Sequence, residues 1–257
     1  MVTRMGARAL SFGSVATAYE RYRPGYPVEL VDDVLTYAGR PVHAALEVGA
    51  GTGKATRVFA RRDFTVTATE PDAAMLRELR KHVPSTVTIV RAAFEDLTLG
   101  VSYDLVFAAA AMHWTDPVGR WGRVAALLVP GGTFACFGGQ VQLADPAVEA
   151  AVHAARRPFL ESDSFPSPDG TPAGDETQWP ATELAQSGLF TDLRQTLIDR
   201  RKTVSARDYV GHLSTISAYL ELPSSVREDA FGRILQVLPE RVEVAADIIL
   251  HMARSAS

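Results

Sequence analysis

The stretch L-E-V-G-A-G-T-G-K-A-T-R-V-F-A, residues 46–60, changes character halfway. Leu46–Val48 is apolar around one acid, Glu47. Gly49, Gly51 and Gly53 then alternate with small residues. Ala55, Val58, Phe59 and Ala60 follow at helical spacing. The pattern is a strand, a glycine turn and a helix.

The same rhythm continues outward. Ala44–Val48 reads as a buried strand and Lys54–Arg62 as a helix. Thr65–Thr69 is β-branched and reads as a second strand. Asp72–His82 reads as a helix, with Asp72 suited to its start and Met75, Leu76 and Leu79 on one face. Thr86–Val90, Tyr103–Ala108 and Thr133–Phe137 complete a set of five strands. The helix Val118–Leu128 is stopped by Pro130-Gly131-Gly132. Strands alternating with helices predict a parallel, doubly wound α/β sheet.

The flanks differ. Residues 12–38 are helical in pieces, broken by Pro24 and Pro27. Pro146–Arg157 reads as a helix, and Ser162–Pro180 as a long loop rich in Pro, Ser, Gly and Asp. Gln195–Asp199 is expected as a strand. Ser205–Leu220 is expected as a helix capped by Ser205 with Asp208 three residues on, and Ser225–Leu238 as another. Arg241–Met252 is expected as an antiparallel closing strand, with a helix as the competing assignment. The 257 residues are therefore read as one enlarged domain. Its core is about 41–140 and 191–202 with 241–254, and its helical cap about 1–40, 141–190 and 203–240.

Composition excludes several classes. The net charge of −4 argues against a nucleic-acid or other polyanion partner, and no basic stripe compensates. A single cysteine, Cys136, allows no intramolecular disulfide and suits a reducing compartment. Arg4 and Arg8 precede no continuous apolar stretch, so no signal peptide is expected. The longest apolar run, Val106–Trp114, is far short of the ~20 residues that cross a membrane. A cytoplasmic protein with no membrane partner is expected. Six histidines, His43, His82, His113, His153, His212 and His251, are scattered without ligand spacing, and no metal is expected.

In a doubly wound sheet, ligands bind beyond the carboxyl ends of the strands, where the first glycine turn lies. Glycine lets the backbone approach a ligand with no Cβ between them. Glu70 ends the second strand, where two carboxylate oxygens can accept from both hydroxyls of a ribose. The spacing is G-x-G-x-G rather than the G-x-G-x-x-G of a dinucleotide turn. Glu47 would repel a pyrophosphate but suits a cation. The turn is read as holding a nucleoside whose tail is positively charged.

These residues resemble class I S-adenosylmethionine-dependent methyltransferases, a Rossmann-like family. E-V-G-A-G-T-G (47–53) resembles their first motif and T-E-P-D (69–72) their second. A-F-E-D (93–96), A-M-H-W-T-D-P (111–117) and L-V-P-G-G-T-F (128–134) resemble the turns at the third, fourth and fifth strands. The entry F-G-S-V-A-T-A-Y-E-R-Y-R-P-G-Y-P (12–27) resembles a branch that includes trans-aconitate methyltransferase and natural-product methyltransferases. S-G-L-F (187–190) and S-A-R-D-Y-V-G-H-L-S-T (205–215) resemble the same branch.

The resemblance implies a cofactor, S-adenosylmethionine, and a set of roles. Gly49, Ala50, Gly51 and Gly53 carry the cofactor turn, and Glu47 reaches the methionine ammonium. Glu70, with Pro71, holds the ribose. Met75, Phe94 and Glu95 surround the adenine, and Ala110 lies beside the cofactor after the fourth strand. Tyr19 and Arg23 close over the methionine tail, Arg23 suiting its carboxylate. Tyr22, Tyr26, His113, Trp114, Tyr209 and His212 wall the acceptor pocket, and His113 is also the candidate base. Trp179 is a candidate lid residue. Arg200-Arg201-Lys202 is read as a solvated loop or as a lure for an acidic acceptor.

The partner implied is a small-molecule methyl acceptor, a specialised metabolite or small organic acid. A homo-oligomer is compatible, with the N-terminal helical segment facing a second copy. Two rivals stand beside this reading. A nicotinamide-dependent oxidoreductase shares the general fold, but the G-x-G-x-G spacing, Glu47 and A-F-E-D disfavour it. A methyltransferase-like protein that keeps the cofactor and catalyses cyclisation, or only binds a ligand, is opposed by no residue but weakened by the intact cofactor set.

Overall fold

A computed structural model describes residues 10–164, 167–172, 175 and 177–256. The expected cap before residue 10, including Arg4 and Arg8, lies outside the described residues, as do parts of the Ser162–Pro180 loop.

The main sheet has seven strands: β1 (Ala44–Val48), β2 (Thr65–Thr69), β3 (Thr88–Val90), β4 (Tyr103–Ala109), β5 (Leu128–Gly138), β7 (Phe190–Ile198) and β10 (Ile248–Ser255). Their order is β3-β2-β1-β4-β5-β10-β7. β10 alone runs antiparallel, between β5 and β7. The order reverses between β1 and β4, so their carboxyl ends open the ligand crevice. Parallel strands covered on both faces must be apolar throughout. Accordingly Leu105, Val106, Phe107 and Ala108 of β4 are all fully buried.

One face packs on the helices Val28–Ala38 and Thr56–Phe59, with the Phe59 and Phe107 rings stacked 4.0 Å apart. The other packs on Arg120–Ala126 and Ala181–Ser187 through Leu46, Val106, Phe134 and Leu184. Val28–Ala38 and Ala181–Ser187, expected in the cap, thus belong to the core. The cap has its own apolar cluster, in which Pro146–Arg156, Ala206–Leu213, Ser217–Leu220 and Ser224–Val237 meet a second sheet. That sheet joins β6 (Gln142–Leu143), β9 (Arg241–Ala245) and β8 (Arg201–Ser205) in the order β6-β9-β8.

Several elements differ from expectation for local reasons. The first long helix shrinks to Thr56–Phe59 because Gly53, at φ +84°, holds the preceding turn open. The expected helix Ser205–Leu220 breaks after Leu213. There Ser214 and Thr215 hydroxyls donate to the Gly211 and His212 carbonyls, closing the last turn from the side chains. Ser205 caps its start as expected, its hydroxyl accepting from the Asp208 amide at 3.0 Å. The expected closing segment divides at residues 246–247: β9 joins the cap sheet and β10 the main sheet.

Candidate active site

The glycine turn leaves β1 with all three glycines left-handed, at φ +66° (Gly49), +56° (Gly51) and +84° (Gly53). Their duties differ. A Cβ on Gly49 would lie 2.6 Å from the Ala111 methyl, so this glycine lets the turn close against the chain leaving β4. A Cβ on Gly51 would meet nothing within 4 Å and would point into open space. Gly51 therefore offers bare backbone to a ligand.

Glu70 directly follows β2 and is 8% exposed. One carboxylate oxygen accepts from the Gly51 amide at 3.0 Å and the other from the Asp72 amide at 2.9 Å. The acid is thus fixed beside the turn with lone pairs left on both oxygens. Burial raises its pKa and outweighs the two amide bonds.

Glu47 is fully buried. One oxygen accepts from the Thr56 hydroxyl at 2.5 Å, and the other, Oε1, has no partner. Burial pushes its pKa up to about 8, with Glu70's charge adding, so near pH 7 it is largely protonated. An orphaned buried carboxyl oxygen costs about 1–3 kcal/mol. A ligand cation would satisfy it and favour the ionised form.

The segment before β1 lies across this turn. Glu20, on the helix Ala16–Tyr22, accepts from the Thr52 hydroxyl at 2.7 Å and from Arg57 Nη1 at 2.8 Å. Lys54 Nζ donates to the Glu20 backbone carbonyl at 2.6 Å. The Phe12 ring lies 5.9 Å from Tyr19 and 5.6 Å from Trp114, bridging to the chain after β4. Arg23 is anchored to the cap: Nε donates to the Thr215 hydroxyl at 2.8 Å and Nη2 to its carbonyl at 3.0 Å. Gly211 admits the Tyr22 ring, which a Cβ there would strike at 2.6 Å. Tyr26 packs on Phe137 at 5.0 Å, and burial, with Tyr19 and Glu47 adding, pushes its hydroxyl above the ordinary range.

β4 is followed by Ala110, a left-handed alanine at φ +50° whose amide donates to the Phe137 carbonyl at 2.8 Å. Such strain in a non-glycine residue persists where surrounding structure enforces it. His113 and Trp114 follow with ring centroids 4.7 Å apart, and Trp179 lies 6.4 Å from His113. Burial and then the Arg120 charge push His113 down to about 4. It is a neutral hydrogen-bonding group at pH 7 and a weak base.

The structure brings Tyr19, Tyr26 and Glu47 together beside the turn and Glu70, and Phe12 links Tyr19 to the Trp114 and His113 that follow Ala110. Other expected site residues have other engagements. Phe94 is buried against the sheet core and sits under Arg123, 5.9 Å from its guanidinium carbon. Glu95 accepts from the Asp116 amide at 2.8 Å. Met75 is buried, and Pro71's carbonyl accepts from Arg91 at 3.2 Å. Arg23 binds Thr215 rather than standing free for a carboxylate. Tyr209 is in the cap's own apolar cluster, whereas His212, four per cent exposed, carries an unpartnered Nδ1 near Arg23. Arg200 is a tether: Nη1 donates to the Gly25 carbonyl at 2.8 Å. Sequence reasoning missed Glu20, Thr56 and Arg120. Glu20, the one acid in the entry segment 12–27, was the available signal.

This donor set fits S-adenosylmethionine: Glu47 Oε1 for a cation, Glu70 for a pair of hydroxyls, and Gly51 for close approach. It opposes a pyrophosphate, which would face two acids, while the nearby Lys54 is held by Glu20. Among the described residues no group of His, Cys, Asp and Glu could hold a metal ion.

Comparison with known proteins agrees. Residues 46–136 match the family described as methyltransferase domain. An uncharacterized methyltransferase of Mycobacterium tuberculosis is 44% identical over 124 residues, 48% of this chain and 50% of that protein. The chain thus spans about half the length of the curated relatives it matches first. The trans-aconitate 2-methyltransferase of Acidovorax ebreus is 33% identical over 119 residues, 45% of this chain and 44% of that protein. A candidate type II methyltransferase from Anaeromyxobacter dehalogenans superposes with a TM-score of 0.62 at 25% identity, covering 91% of this chain and 98% of that one.

Proposed function

We propose that this chain, whose residues 46–136 match the family described as methyltransferase domain, transfers a methyl group from S-adenosylmethionine to a small organic acceptor. The observation that carries the reading is the pair of acids flanking the glycine turn: Glu47 with a buried, unpartnered oxygen and Glu70 fixed by the Gly51 and Asp72 amides.

The cofactor supplies an electrophilic methyl on a sulfonium sulfur, so the acceptor's nucleophile bonds to carbon as the carbon–sulfur pair leaves on sulfur. The protein's contribution is alignment and exclusion of water, which can supply about 7–11 kcal/mol. Glu70 orients the ribose and Glu47 takes the ammonium. The segment pinned by Glu20 covers the crevice, with Phe12 set between Tyr19 and Trp114. His113, neutral at pH 7, positions the acceptor by a hydrogen bond. Its low basicity suits an acceptor that ionises by itself, such as a carboxylate or acidic hydroxyl. The aromatic walls, Phe12, His113, Trp114 and Trp179, favour a small apolar or planar acceptor of specialised metabolism over a macromolecule.

The direct test is release of S-adenosylhomocysteine from labelled S-adenosylmethionine across a panel of small carboxylic acids, phenols and amines. Turnover with one of them, at least tens-fold slower in Glu70→Ala, supports the reading. Hydride transfer from NADH without methyl transfer contradicts it.

A further inference from the structure

Beside the crevice lies a buried polar group that the methyl-transfer scheme leaves without a task. β5, β10 and β7 place Cys136, His251 and Gln195 in register, facing the side of the sheet that holds Phe134 and Ala253. His251 is 4% exposed and its Nδ1 has no partner. Burial holds it neutral at pH 7 by pushing it down to about 4.

Trp179 overhangs this position. The backbone amide of its neighbour Gln178 donates to the Gln195 side chain at 3.2 Å, which places the segment above β7. The indole Nε1 is also buried without a partner. Arg120 closes the side: it is 1% exposed, with its guanidinium carbon 5.4 Å from the Trp179 ring centre. Its Nε and Nη2 donate to Thr115 at 2.8 and 2.7 Å, but Nη1 has only a 3.5 Å contact with Glu183. That same Glu183 oxygen already accepts from the Trp121 indole at 2.8 Å. The three tryptophans of the chain, 114, 121 and 179, thus stand around His113 and Arg120.

We infer that Trp179, His251 and Arg120 form the acceptor subsite, and that they hold the oxygen end of a planar, anionic acceptor whose nucleophile faces His113. The inference rests on the methyl-transfer reading and adds which acceptor chemistry it serves. The groups define that chemistry. An indole N–H and a guanidinium can only donate, and a neutral imidazole nitrogen donates when it carries the proton. Arg120 supplies a buried cation, its Nη1 3.5 Å from Glu183. The walls are flat aromatic faces, which suit a planar ligand. An aromatic or conjugated carboxylate meets all three conditions. An amine acceptor would leave the indole donor unsatisfied and face a buried cation.

The test uses the full chain, saturating S-adenosylhomocysteine, and calorimetric titration of 2-naphthoate against its neutral amide, 2-naphthamide. The variants are Trp179→Phe and His251→Leu, each of which deletes a polar atom that has no partner in the free protein. The expected result has three parts. 2-Naphthoate binds wild type more tightly than the amide. Each variant binds it at least about ten-fold more weakly, the worth of one hydrogen bond to a charged group. Each variant binds S-adenosylhomocysteine as wild type does and melts at an equal or higher temperature, since removing an orphaned polar atom relieves the free protein. Equal 2-naphthoate binding in wild type and variants, equal binding of acid and amide, or no 2-naphthoate binding at all overturns the subsite. A purely structural role would lower the melting temperature and leave binding unchanged. Failure of wild type to bind S-adenosylhomocysteine overturns the methyl-transfer reading instead.

Discussion

Glu47 concentrates the chemistry of the crevice in one side chain. It stands at the end of a strand buried on both faces, and only the Thr56 hydroxyl offsets the loss of water. Its proton is therefore held to about pH 8 in the free protein. A ligand ammonium beside Oε1 would drive that proton off. Calorimetry of S-adenosylhomocysteine at pH 7 in two buffers of different ionisation enthalpy is expected to show release of close to one proton per site. Glu47→Gln is expected to abolish the release and weaken binding. Release unchanged in the variant would assign the proton elsewhere. The acid was legible in the sequence because it sits two residues before Gly49 and the pattern is local. Its protonation was not, because that depends on Phe107, Tyr26 and the sheet packed around it. His251 was hidden in the same way: in the sequence it interrupts an apolar run, and only the register with Cys136 and Gln195 gives it neighbours.

At the scale of elements, the helix Ala16–Tyr22 is held by long-range polar contacts more than by burial. Ala16 is its one buried residue, while Glu20 joins it to Thr52, Lys54 and Arg57. The Glu20 carboxylate is held below its ordinary range despite burial, because Thr52, Arg57 and Lys54 all favour the ionised form. Glu20→Ala is expected to cost about 1–3 kcal/mol, the worth of charge-assisted hydrogen bonds in a partly buried site. Amide hydrogen exchange should accelerate over residues 16–23 while β1 and β4 stay protected. Uniform acceleration across the sheet would mean that the helix is part of the global folding unit rather than a separable cover. The end of this helix was legible from Pro24 and Pro27, but its start and its docking were not, since Glu20's partners lie more than thirty residues away. The cap sheet escaped for a related reason. β6 has two residues, and β8 pairs with a strand forty residues on, so neither forms a periodic pattern of its own.

At the scale of the molecule, burial of ionisable groups sets the pH response. His113, His212 and His251 are pushed down to about 4, 3 and 4. Below pH 6.5 the unfolded chain takes up protons that these folded histidines refuse, so stability falls toward acid. Glu47 acts in the opposite direction. Between pH 4.5 and about 8 the unfolded chain releases a proton that the folded one keeps, so stability falls as pH rises. Three histidines outweigh Glu47 below pH 6.5, and their effect fades above about pH 7, where Glu47 dominates. Urea unfolding is therefore expected to show greatest stability at about pH 7, with a loss of roughly 0.7 kcal/mol per pH unit toward pH 8, where Glu47 is already half ionised in the folded chain. Glu47→Gln should flatten the alkaline side. An alkaline slope retained in the variant would contradict the account.

The doubly wound, mostly parallel sheet was legible at this scale because strand–helix alternation over residues 44–137 leaves few topologies. The division of core and cap was not, because Val28–Ala38 and Ala181–Ser187 are amphipathic helices whose partners only the fold reveals.

The central claim is that the two acids flanking the glycine turn hold S-adenosylmethionine. The most direct measurement is calorimetric titration of the full chain with S-adenosylhomocysteine and, separately, NADH, on wild type and Glu70→Ala. The account predicts S-adenosylhomocysteine binding to wild type at about micromolar affinity, at least tens-fold weaker in the variant, since one lost hydrogen bond to a charged group is worth about 1.5–3 kcal/mol. It predicts no NADH binding. Binding of NADH alone, or S-adenosylhomocysteine affinity unchanged by Glu70→Ala, would contradict it.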